Sequence, residues 1–69
     1  MSEETVAALD KLALPWGKEM ELQHVAYDGG LRMLRLRIRE GRRFTIIDLD
    51  AGTAGRLGGL LAAWAAENG

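Results

Sequence analysis

The chain reads as a small α+β domain in the order α-β-β-β-α, a three-stranded antiparallel meander with two helices packed on one face. Three patterns predict it. Apolar residues recur at helical spacing near both ends, apolar and polar residues alternate through the middle, and two glycine-containing clusters supply turns between the alternating runs.

Near the start, Val6, Leu9, Leu12 and Ala13 fall at helical spacing. Ser2 before Glu3 and Glu4 suits an N-cap with a dipole-favoured first turn. The expectation is a helix over about 3–13, stopped by Pro15, because proline disfavours the α conformation in the residue before it. Trp16 is then expected to anchor an apolar connector in the core.

From residue 18 the period becomes two. Met20, Leu22, His24 and Ala26 share one face, with Glu19, Glu21, Gln23, Val25 and Tyr27 on the other, which gives a strand over 18–27. Leu34, Leu36 and Ile38 against Arg35, Arg37 and Arg39 give a second over 31–39. The β-branched, apolar run at 44–49 gives a third. Asp50 offers an N-cap, and Ala54, Leu57, Leu60, Leu61, Trp64 and Ala65 form a stripe that predicts a closing helix over about 52–67. Glycines at 52, 55, 58 and 59 each cost up to about 1 kcal/mol inside a helix, so packing must hold it.

Register follows from the requirement that apolar residues share a side of the sheet. A three-residue loop at Asp28-Gly29-Gly30 sets Leu22 against Leu36, Met20 against Ile38, Glu21 against Arg37 and Glu19 against Arg39. A four-residue loop at Glu40–Arg43 sets Ile47 beside Leu36, Leu49 beside Leu34 and Asp48 beside Arg35. One face is thus apolar and awaits helices; the other is charged and paired across strands.

Size and charge narrow the function. A 69-residue chain of 7.6 kDa has room for one core and, without cysteine, no disulfide to reinforce it, which favours oligomerisation. One histidine and no cysteine leave nucleophilic catalysis and zinc binding without their usual parts. His24 is expected to be a packed or edge residue, and Asp48 and Asp50 to serve an ion pair and a helix cap. No catalytic, metal or cofactor residue is assigned. The net charge is −1, but it divides into −4 over residues 1–30, +5 over 31–47 and −2 over 48–69. No apolar run is long enough to span a bilayer, and the acidic start lacks a basic leader, so a cytoplasmic protein without a membrane partner is expected.

Leu14-Pro15-Trp16-Gly17, the strand from Lys18 to Tyr27 and the run Leu31-Arg32-Met33-Leu34-Arg35-Leu36-Arg37-Ile38-Arg39-Glu40-Gly41-Arg42-Arg43-Phe44-Thr45 resemble a family of small uncharacterised bacterial proteins. The resemblance spans about residues 12–65. That family's helix start has a proline where Asp50-Ala51-Gly52-Thr53-Ala54 has none. It implies a domain and no activity. Strands before a closing helix are also loosely similar to single-strand-binding coactivator domains, without their motif residues.

The expectation is therefore a small non-enzymatic protein-interaction module, with self-association through an edge strand or the small-residue face of the last helix as one open mode. Its partner is an unidentified protein or a second copy in a homodimer. The alternative is weak nucleic-acid or phosphate-ligand binding through Arg37, Arg39, Arg42 and Arg43 on the second hairpin.

Overall fold

The structure is a computed structural model and describes residues 4–69. Four antiparallel strands, β1 (Glu4–Ala13), β2 (Glu19–Tyr27), β3 (Arg32–Glu40) and β4 (Arg43–Leu49), lie side by side in chain order. One helix, α1 (Ala51–Asn68), follows. The chain is α+β, with one more strand and one fewer helix than its pattern predicts.

The difference lies wholly in the first segment, which is a strand and not a helix. In β1, Ala8 faces Gln23 and Asp10 faces Leu22, so Leu9 is an extra residue with no opposite number. That bulge changes the parity of the alternation midway. Val6, Leu9 and Leu12 consequently fall three apart, which mimics a helix although the backbone is extended. The expected cap at Ser2 lies outside the described residues.

The other elements end within one or two residues of their expected bounds, and both registers hold. Glu19 faces Arg39, Leu22 faces Leu36 and Val25 faces Met33; Arg35 faces Asp48 and Leu34 faces Leu49. At the first of these turns Gly30 N–H donates to Tyr27 O at 3.2 Å, with Gly29 and Gly30 at φ 90° and 91°, so the loop is the three residues expected. The second turn is tighter than expected. Glu40 pairs with Arg43, leaving only Gly41 and Arg42 as the loop, and Gly41 at φ 63° supplies the positive φ that a two-residue hairpin needs. Asp50 caps α1, its Oδ1 accepting from Thr53 N–H at 2.7 Å.

The core is the largest departure. Among the described residues only Val25 is fully buried, at 0% exposure, and it lies on the charged face between Val6 of β1 and Met33 of β3. The apolar face, with Met20, Leu22, Leu34, Leu36, Ile38, Ile47 and Leu49, is only partly covered. The first described segment is β1 within the sheet and not a helix over it, and α1 comes close mainly to β3. Trp16, expected in the core, is 92% exposed, and Trp64 is 67% exposed.

Candidate functional site

Strand alternation sends Arg35, Arg37 and Arg39 to the charged face, and the register places an acid opposite each. Arg35 is the hub. Its Nε donates to Asp48 Oδ1 at 2.9 Å, its Nη2 donates to Asp48 Oδ2 at 3.2 Å and to the Tyr27 hydroxyl at 3.3 Å, and its Nη1 lies 3.6 Å from Glu4 Oε1. The hydrogen bond from Arg35 holds the Asp48 carboxyl below its usual range, and the same bond raises the guanidinium pKa further. The Tyr27 phenol is raised, first by desolvation and then by the charge on Asp48. Glu4 reaches this cluster only because the first segment is a strand.

Farther along the same face, Arg37 lies 3.8 Å from Glu21 and stacks 4.1 Å above the centroid of the Phe44 ring. Arg39 lies 3.6 Å from Glu19 and donates to Gly41 O at 3.5 Å. Gln23, opposite Arg35, turns instead to Glu21, donating at 2.9 Å. The four arginines singled out in the sequence therefore divide. Arg37 and Arg39 sit in cross-strand pairs on the charged face; Arg43, opposite Glu40, projects to the apolar side by alternation; Arg42 occupies the turn between them. Glu40 also takes Lys18 Nζ at 3.0 Å, and the bond from Lys18 lowers its pKa.

That ion pair ties the β3–β4 turn to the β1–β2 connection, so both lie at one end of the sheet. The connection is a single tight turn, Pro15–Gly17, closed by Leu14 N–H donating to Lys18 O at 2.8 Å. Within it Trp16 adopts φ 62°, a left-handed conformation that is rare for a bulky side chain, and its indole stands in solvent. Sequence reasoning missed this residue as a surface feature. Its signal was Pro-Trp-Gly between two strands, which marks a turn and so a surface position.

On the opposite side, the apolar face of the sheet and the near side of α1 enclose a groove of about 410 Å³. Leu12, Leu22 and Leu36 floor it, and Leu57, Gly58 and Leu61 form its helical wall. No polar side chain lines it. The apolar surface continues over the outside of the helix at Leu60 and Trp64, and from Leu57 to Ala66 the helix carries no polar side chain. A helix apolar all round ordinarily belongs in an interior. Among the described residues no helix is long and apolar enough to cross a membrane. A second, open cleft of about 260 Å³ lies by the start of α1, between His24, Arg32 and Ala51. His24 itself has Ala7 and Leu34 as cross-strand neighbours.

Residues 3–67 match the model of a family of unknown function (DUF6967), and the chain belongs to that family. No curated protein and no solved structure matches it.

Proposed function

We propose that the protein is a non-enzymatic protein-interaction module whose working surface is the apolar groove and the helix beside it. The observation that carries this reading is the uncovered state of that face: a leucine-lined groove open to water beside a helix that carries no polar side chain from Leu57 to Ala66. Soluble chains rarely leave contiguous apolar surface of this extent exposed unless another molecule covers it. In the background Trp16→Phe, Trp64 is the sole indole, and acrylamide quenching reads its exposure directly. The module reading expects Trp64 to be shielded in the working assembly; an indole quenched as freely as free tryptophan under every condition would overturn it.

A second reading, binding of single-stranded nucleic acid or a phosphate ligand, draws on one observation. The exposed Trp16 stands at the same end of the sheet as Arg42 and Arg43, and an aromatic platform beside cations is the usual arrangement for stacking a base above a held phosphate. Arg37 and Arg39 contribute less, being paired with Glu21 and Glu19. Titration with a mixed-sequence oligonucleotide tests it. Shifts at Trp16 and residues 39–43 that weaken steeply with salt and vanish in Trp16→Ala support it, and an unchanged spectrum at low salt sinks it.

A further inference from the structure

The apolar face is left partly uncovered by a single chain. We propose that a second copy covers it, the two molecules related by a two-fold axis, each placing the Leu60–Trp64 ridge of α1 against the groove of the other. This rests on the interaction-module reading and names its partner.

The exposed area of the chain supports this pairing. A compact monomer of this mass exposes about 4,300 Å², whereas the chain exposes 5514 Å². The excess is about 1,200 Å² per molecule. Burying it from two copies removes about 2,400 Å², within the roughly 2,000–5,000 Å² range of obligate homodimers. Shape agrees with area. The chain is a slab of 45 × 30 × 15 Å with a radius of gyration of 13.8 Å, against about 11 Å for a compact domain of this length.

The shapes of ridge and groove support it as well. A ridge and a groove on the same element satisfy each other twice in a symmetric pair, which closes the assembly and leaves no apolar surface to recruit a third copy. Gly55, Gly58 and Gly59 let the backbones of two helices approach closely there. The other occupants fit less well. A small apolar ligand would fill the groove and leave Leu60 and Trp64 in water, and no polar group is present to orient it. A membrane surface calls for a helix with a charged face, which α1 lacks from Leu57 to Ala66. Pairing of two β4 edges would extend the sheet without covering either apolar face.

The test is a mixed sample of ¹³C,¹⁵N-labelled and unlabelled chains, read by isotope-filtered NOE spectroscopy, with the solution mass from sedimentation equilibrium. The proposal expects a mass of about twice 7.6 kDa and NOEs between chains from Trp64 and Leu60 to the methyls of Leu22 and Leu36. Leu60→Glu, harmless in a single chain because Leu60 points away from the groove, should yield monomer or unfolded chain. A dimer whose contacts between chains run along β4 overturns the proposal, as does occupation of the groove by a co-purified lipid in a monomer. A monomer that binds the dye anilinonaphthalene sulfonate through its bare face also overturns it, while leaving the interaction-module reading in place. A monomer that binds no dye, with α1 closed on the sheet, overturns both.

Discussion

Val25→Ala should cost far more than an ordinary change on a charged sheet face. Val25 is fully buried because β1 lies beside β2 and places Val6 against it, with Met33 on its other flank. Removing its two methyl-sized groups forfeits about 1.6 kcal/mol of transfer free energy at roughly 0.8 kcal/mol each. Incomplete closure of the space left behind brings the cost to about 2 kcal/mol. In a chain this small that lowers the melting temperature by on the order of 10 °C. Circular dichroism melts of both proteins at one concentration measure it. Were the first segment a helix on the opposite face, β2 would be an edge strand and Val25 half open to water. The same change would then fall within about 0.5 kcal/mol. A loss that small would refute the four-stranded sheet.

Acid should destabilise the protein in a defined window. Asp48, Glu40 and Asp50 all have folded pKa values below their ordinary ones, held there first by Arg35, by Lys18 and by the Thr53 hydrogen bond. The unfolded chain therefore binds protons more readily, so the contribution of these groups is complete above the ordinary carboxylate range near about pH 4 and is lost as pH falls through the lower folded values. Melting temperature against pH should be flat above about 5 and fall below about 4, and Asp48→Asn should flatten part of that fall; a full slope in the variant would contradict the assignment. Trp16→Gly should leave stability unchanged or raise it by up to about 1 kcal/mol, since it releases a left-handed conformation and no packing. Destabilisation beyond about 1 kcal/mol would mean that the indole is packed. Asp50→Ala should speed hydrogen exchange in the first turn of α1 without altering the sheet, and unchanged exchange at Thr53 would contradict the cap.

What the sequence made legible follows the physics of each signal. Alternation in β2 and β3 fixes which side chains face each other, so the pairs Glu21–Arg37, Glu19–Arg39 and Arg35–Asp48 follow from the sequence alone. The Asp50 cap was equally plain. The first segment was not legible, because periodicity assumes an uninterrupted count and the bulge at Leu9 breaks it. Reading that segment as a helix then supplied a false cover for the apolar face. The helical stripe includes Trp64 and the apolar connector suggests an anchoring role for Trp16, but both signals state a need for cover and not where the cover comes from.

Under the proposed pairing, one chain is half of a folded body. The most direct measurement is the melting temperature over a hundredfold range of protein concentration. Unfolding of a pair of 69-residue chains absorbs about 0.7 kcal/mol per residue, so the midpoint of a transition coupled to dissociation should fall by about 5 °C per tenfold dilution. The account predicts a drop of about 10 °C from 200 to 2 μM. A midpoint unchanged across that range, in a protein of 7.6 kDa at both ends of it, would contradict the account.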